Sequence, residues 1–345
     1  MDISDYVKLQ TVSRIEEWWK QRGDSQKKRT YLGGSEIGKD CERELWYSFR
    51  HCTTEDFSGR LYRLFDRGHK EEFRFVEELR GIGCEVHEYD SNGNQFEISS
   101  CNGHFKGHTD GAALGIPDAP KTWHLLEFKT SSAKEFKKLQ GKGVKDAKPQ
   151  HYAQMQVYMH LTGLTRALYL VVNKDNDELY GERVKYESDF AKGIIRKAER
   201  IIKAKIPPEK ITERADDFRC KFCSAHSLCH GSDLTEPAVD IQDLSCRQCV
   251  HASPVKDGKW KCEKSGLEAD EVCDDMLFIP DLINFADVTN YYPDQDVIEF
   301  TSKKDGTVWF HGKKGTEFKQ KLLTVDDLIT LPQSLVELTD MKGNE

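Results

Sequence analysis

No apolar stretch in this 345-residue chain approaches the roughly 18 residues that a membrane-spanning helix needs. The opening Met1-Asp-Ile-Ser-Asp-Tyr6 has neither the basic run nor the apolar core of a secretory signal. From both absences a cytoplasmic protein without a membrane partner is expected. Surplus positive charge is missing too: 51 Lys and Arg face 59 Asp and Glu, a formal net charge of -8. That argues against coating a polyanion by charge alone and leaves room for local basic patches. There is no internal repeat, coiled coil or low-complexity tract. A phosphate-binding loop is nearly present and then fails. Gly33-Gly-Ser-Glu-Ile-Gly38-Lys39 is followed by Asp40 where a hydroxyl should ligate Mg2+, and residues 27–31 do not read as a buried strand. No built-in nucleotide-driven motor is expected.

Cysteine, by contrast, is plentiful. Eleven cysteines in a reducing compartment are better explained by metal than by disulfides. Seven fall in one stretch and form two groups. Cys220-x2-Cys223-x5-Cys229 offers three thiolates, so a fourth ligand must come from elsewhere; Zn2+ completed by His226 or His230 is one solution. Cys246-x2-Cys249-x12-Cys262-x10-Cys273 has ribbon-like spacing with Asp257-Gly258 as a turn between its halves, and reads as a structural Zn2+ site. His251 is an alternative ligand there. Four thiolates leave no open position, which implies a folding or docking role. Cys52, Cys84 and Cys101 show no ligand spacing and read as buried or semi-buried thiols.

Four further features follow one another along the chain: Gly68-His-Lys-Glu-Glu72, Gly107-His-Thr-Asp110-Gly111, Glu127-Phe128-Lys129 and Gln154-x-x-x-Tyr158. The third sits in Trp123-His-Leu-Leu-Glu-Phe-Lys-Thr130, a run with the character of a buried strand. Alternation puts Glu127 and Lys129 on one face and Leu126 and Phe128 on the other. Asp110 lies on the preceding strand-like segment, where Gly107 and Gly111 permit close approach. Two carboxylates on neighbouring strands suit a hard divalent ion, and the lysine would help orient and deprotonate an attacking water. Taken alone, the Glu-x-Lys pair also reads as a surface ion pair. Downstream, Lys134, Lys137, Lys138, Lys142, Lys145 and Lys148 outnumber Glu135 and Asp146. This patch can hold a phosphate backbone, although a solvated helix face has the same composition.

In that order the motifs resemble the PD-(D/E)XK nuclease superfamily, within it the RecB-like and lambda-exonuclease-like branches, over roughly residues 30 to 230. The resemblance implies a Mg2+- or Mn2+-dependent deoxyribonuclease, an exonuclease of DNA recombination, repair or phage DNA processing. The metal would be held by Glu72, Asp110, Glu127 and the Phe128 carbonyl, with Lys129 catalytic and products bearing 5'-phosphate and 3'-hydroxyl ends. Many RecB-like members carry His where Glu72 stands; Glu72 is favoured over nearby His69. Gln154 and Tyr158 are implied to touch the DNA or brace the lysine, and Arg43 to contact phosphate or pair with an acid. In the iron-sulfur subset that includes AddB, a lone early cysteine joins a C-x2-C-x5-C trio around a [4Fe-4S] cluster. Cys41 in Cys41-Glu-Arg43-Glu-Leu-Trp46-Tyr47 is similar to that cysteine, although Glu42 stands where Pro is common. The implied partners are DNA and a single-strand annealing or recombinase protein, in a bacterial host cytoplasm if the chain is phage-encoded. The alternative is a DNA-binding or assembly module acting with such a partner, with endonuclease action or none.

The fold class expected is α/β: a central mixed β-sheet flanked by helices, a restriction-endonuclease-like core, with a C-terminal zinc-ribbon-like appendage. The expected division is a nuclease domain with its cysteine cluster over 1–235, a zinc-binding module over 236–285, and a β-hairpin and helical tail over 286–345. Helices are expected over 5–22, with Trp18 and Trp19 as packing residues, over 59–80 with a Gly81 stop, and over 149–163 and 187–205. Ser35 is the expected N-cap of a helix carrying Cys41 and Trp46. Strands are expected over 84–90, 95–100, 104–114, 123–130, 166–173 and 177–186, and a hairpin around Lys304-Asp305-Gly306.

Overall fold

The structure, a computed structural model, describes residues 10–231 and 236–338. In chain order its elements are helix α1 (Gln10–Asp24), strand β1 (Leu32–Gly33), α2 (Glu42–Phe49), α3 (Gly59–Gly81), β2 (Glu85–His87), β3 (Glu97–Ser100), β4 (Phe105–His108) and β5 (Ala112–Leu114). There follow β6 (His124–Ser131), α4 (Ala133–Ala147), α5 (Pro149–Thr162), β7 (Arg166–Asn173), β8 (Leu179–Lys185), α6 (Ser188–Lys203) and α7 (His226–His230). Last come β9 (Ala252–Pro254), β10 (Trp260–Cys262), β11 (Ala286–Tyr292), β12 (Val297–Ser302), β13 (Val308–His311), β14 (Leu322–Leu323), α8 (Val325–Thr330) and α9 (Gln333–Leu338). Two compact units emerge. One takes the described residues through Gly38 with Glu55–Cys101 and Phe105–Ala198; the other takes Lys39–Thr54, Asn102–His104 and the described residues from Glu199 on.

The first unit is built on a five-stranded mixed sheet of order β2-β5-β6-β7-β8, with β6 and β7 parallel and the other neighbours antiparallel. Its class is the α/β expected, and the succession α3, β2, β5, β6, α5, β7 fits a restriction-endonuclease-like core. Alternation along β6 sends Leu126 and Phe128 into a core with Phe75, Val76 and Leu79 of α3 and Leu168 and Val172 of β7. Phe128 stacks on Phe75 with ring centroids 5.0 Å apart. Each such side chain contributes roughly 1.5–3 kcal/mol on burial, which fixes α3 against the sheet. Helix α3 does not stop before Gly81 but includes it, because the left-handed turn falls at Gly83, φ 92°.

Other expectations need correction. The single strand expected over 104–114 is two strands in different sheets: β4 pairs with β1 and β3, and β5 with β2 and β6. Residues 109–111 form the crossover, so Asp110 lies between strands and not on one. The lysine-rich stretch forms α4, with Phe136, Leu139 and Val144 on its inner side and a kink at Gly143, φ 73°. Helix α1 runs to Asp24, and residues 5–9 of the helix expected there lie outside the described residues. Trp18 is 51% exposed and no core residue; the Arg22 guanidinium lies 5.4 Å from its ring and from that of Trp19.

In the second unit α2 is capped by Cys41 itself, whose Sγ accepts the Glu44 N–H at 3.4 Å; Ser35 lies in an earlier turn. β9 and β10 form an antiparallel hairpin turning at Asp257 and Gly258, both at positive φ. The expected hairpin is β12–β13, extended by β11 and β14 into a four-stranded sheet. Trp309 stacks on Phe300 at 4.6 Å within it. Helices α8 and α9 follow, and residues 339–345 of the expected tail lie outside the described residues. Among the described residues no helix is long and apolar enough to cross a membrane.

Candidate active site

Glu72, Asp110, Glu127 and Lys129 belong to the first unit and reach one place from three segments. Glu127 and Lys129 share the side of β6 that turns away from Leu126 and Phe128. Glu127 is fully buried, opposite Tyr169 in the β6–β7 register. Its Oε1 is ion-paired with Lys129 Nζ, while its Oε2 has no hydrogen-bond partner. β5 pairs with β6 only as far as Leu125, so the Phe128 amide has no strand partner on that side. Asp110 supplies one: its Oδ2 accepts the Phe128 N–H at 2.7 Å. Glu72 stands half-buried on α3 within the fields of Asp110 and Lys129.

Charge at this place is unbalanced, with three carboxylates against one ammonium. Burial pushes Glu127 up to about 7, against the pull of Lys129. Burial and then the Asp110 charge push Glu72 up to about 7 as well. Asp110 is raised by burial, opposed by Lys129. Burial lowers Lys129, but Glu127 and Asp110 outweigh it and the lysine is raised overall. Its side chain remains 29% exposed, so it is accessible to a substrate. The surplus of negative charge, the oxygen-only donors and the unpartnered Glu127 Oε2 fit a hard divalent cation. Among the described residues no three His, Cys, Asp or Glu side chains stand in the geometry of an assembled metal site. The fit therefore lies in donor chemistry.

Gln154 and Tyr158 of α5 are buried, 5% and 2% exposed. Gln154 hydrogen-bonds Tyr158, which feels the charges of Glu127 and Asp110. A Cβ on Gly34 or Gly107 would overlap the Tyr158 ring, so both glycines make room for it. Lys134, Lys137 and Lys138 are exposed on α4, where Glu135 partly offsets the patch through Lys138 at 3.9 Å and Lys148 at 2.7 Å. Two neighbours escaped the sequence reading. His151 shares a 2.7 Å hydrogen bond with the Tyr169 hydroxyl, and burial together with Lys129 pushes its pKa down to about 3, so it is neutral. His151 precedes Gln154 by three residues on the same helical face, a legible signal; Tyr169 is placed by strand register, which is not.

In the second unit Cys41, Cys220, Cys223 and Cys229 line one cavity together with His226 and His230. Cys41 thus meets the trio, and His230 Nε2 is unpartnered, so donors for either a cluster or Zn2+ are at hand. Arg43 donates to the Tyr47 hydroxyl at 3.0 Å and the Pro208 carbonyl at 2.8 Å and lines the same cavity. Cys246 and Cys249 are buried, Cys262 is half-buried and Cys273 is exposed. Cys52 and Cys84 are buried and Cys101 half-buried.

No family model and no curated protein matches the chain. Solved structures with similar chain traces include SSO0001, at 16% identity over 64% of this chain and 96% of that one, TM-score 0.39. Two structures of LHK-Exo, an alkaline exonuclease from Laribacter hongkongensis, one in complex with dAMP, align at 16% identity over 54% of this chain and 90% of theirs, TM-scores 0.37 and 0.34. At such values the likeness bears on neither the site nor its activity.

Proposed function

We propose that the chain is a metal-dependent deoxyribonuclease, acting as an exonuclease in DNA recombination, repair or phage DNA processing. The observation that carries this is the convergence of Glu72, Asp110 and Glu127 around Lys129, with one buried carboxylate oxygen left without a partner. A divalent cation held by these carboxylates and the Phe128 carbonyl would supply Lewis-acid polarisation of the scissile phosphate and a more acidic water. Lys129, paired with Glu127 and open to solvent on one side, orients the water and meets the charge growing on phosphate. Asp110 holds the Phe128 backbone in place through its N–H. The exposed lysines of α4 attract the DNA backbone independently of sequence. A [4Fe-4S] cluster on Cys41, Cys220, Cys223 and Cys229 is the matching proposal for the cysteine cavity, with Zn2+ as its alternative.

The test is digestion of end-labelled linear and covalently circular DNA, single and double stranded, with Mg2+ or Mn2+, by anaerobically purified protein and by Lys129→Ala. Metal-dependent loss of linear DNA alone, absent in the variant, is the expected result, and the label gives polarity. If both proteins bind DNA yet leave every substrate intact, the nuclease reading fails and a binding module takes its place.

A further inference from the structure

We infer that Cys246, Cys249, Cys262 and Cys273 form a closed four-thiolate zinc site whose work is to anchor α2, and through it Cys41. This stands apart from the nuclease reading, since every residue in it belongs to the second unit.

The sulfurs are set in two turns of like design. The first closes with the Cys249 N–H on the Cys246 carbonyl at 3.0 Å, and the N–H groups of His251 and Leu277 are aimed at the Cys249 sulfur. The second follows β10: the Ser265 N–H approaches Cys262 Sγ at 3.5 Å and the Gly266 N–H meets the Cys262 carbonyl at 2.8 Å. A neutral thiol is a weak acceptor, whereas a thiolate is a strong one, so N–H groups directed at sulfur suit metal ligation. The Cys246 thiol donates to the Glu271 carbonyl at 2.9 Å, two residues from Cys273, a bond that metal ligation would replace, and its field is shared with Cys249, Cys273 and Cys262. No three of these sulfurs stand in metal geometry as the chain is described, so metal binding must draw the two turns together and bring in Cys273 from its exposed loop. Four sulfurs and no open position are the donor set of structural zinc.

The second observation is a pair of buried cations. Arg50 is 2% and Arg247 8% exposed. Their guanidinium groups lie 4.8 and 5.0 Å from the Trp260 ring. Neither feels a carboxylate among the described residues; Arg50 feels the Cys52 thiol and then Cys249. A buried guanidinium needs a counter-charge. Zinc with four thiolates is doubly negative and supplies one to Arg50 through Cys249, with Arg247 packed against the same Trp260 ring.

The same turn grips α2. Arg247 and Gln248, the two residues between Cys246 and Cys249, donate to the Phe49 carbonyl at 3.1 Å and the His51 carbonyl at 2.6 Å. Arg50 returns bonds to the carbonyls of Arg247 at 2.9 Å and Ala252 at 3.2 Å. Fixing the Cys246–Cys249 turn therefore fixes the carboxyl end of the helix whose amino end is capped by Cys41.

The experiment uses the full chain. Metal content is measured by mass spectrometry in wild type, Cys246→Ser/Cys262→Ser and Cys220→Ser/Cys223→Ser. The first variant should hold one zinc fewer than wild type, and the second should keep that zinc. Because the first variant can misfold, wild type is also treated with iodoacetamide before and after a strong chelator. Cys273, although exposed, should resist alkylation until zinc is removed, and amide exchange in α2 should accelerate at the same step. Alkylation of Cys273 at the rate of a free exposed thiol in untreated protein would overturn the site. Unchanged exchange in α2 after zinc removal would overturn the anchoring role.

Discussion

Glu127 is a carboxylate placed where carboxylates are costly, fully buried with one oxygen unserved. Glu127→Gln keeps its shape and removes its charge. Cleavage should fall by at least about 100-fold, beyond the roughly 10–100-fold that changes around a metal ligand commonly cost, while stability of the metal-free protein holds or rises. Single-turnover digestion and urea unfolding read the two effects, and retained cleavage would remove Glu127 from the site. His311 gives a prediction about pH. It is fully buried; its Nε2 accepts the Phe278 N–H at 3.1 Å and its Nδ1–H donates to the Leu323 carbonyl at 2.8 Å. Both bonds need the neutral ring, and burial pushes its pKa from 6.5 down to about 4. The unfolded chain takes up this proton first, so stability is lost as pH falls from about 6.5 to about 4, by on the order of 3 kcal/mol at most. His311→Gln should be less stable at neutral pH and show a flatter acid limb. An unchanged slope would assign the acid loss to other groups.

At the scale of elements, α5 and β4 are matched by an absence of side chain. The Tyr158 ring occupies the space above Gly34 and Gly107. Gly107→Ala should therefore cost about 1–3 kcal/mol as an overpacked contact, and Tyr158→Leu in the same chain should recover part of it. Denaturant midpoints of the two single variants and the double variant decide this, and strict additivity would deny the contact. Most elements were legible because their patterns are local. The alternation of β6, the span of β7 and the β12–β13 hairpin each follow from residues within a few positions. Helix α4 was readable from Phe136, Leu139 and Val144, yet its lysines mask the pattern. The break at Asp110 was not readable, since both flanking segments look like strand and only sheet pairing separates them. The Arg43 contacts were equally hidden, because Pro208 lies far along the chain.

At the scale of the molecule, the carboxylate site belongs to one unit and both cysteine groups to the other. The order of acidic motifs exposed the first, and spacing with one early cysteine exposed the second and tied Cys41 to the later residues, but no pattern announced that the whole of residues 39–54 goes with it. Ligand binding stabilises the unit that holds the ligand. Calorimetry should accordingly show Mg2+ raising one transition and a thiol-metal chelator lowering another, with Lys129→Ala altering only the first; a single transition moved by both agents would contradict this independence. The interleaving has a further consequence for biosynthesis. All of the first unit has been made once Ala198 emerges, and it can close while translation continues. Helix α2, made early, waits for Ala204, Pro208, Arg247 and Ala252 before its backbone and side-chain partners exist. During that interval Trp46, Tyr47 and Phe49 have no later unit to enter, so the nascent chain carries an apolar helix for the time needed to add about two hundred residues, and a chaperone that shields it should raise the yield of complete protein.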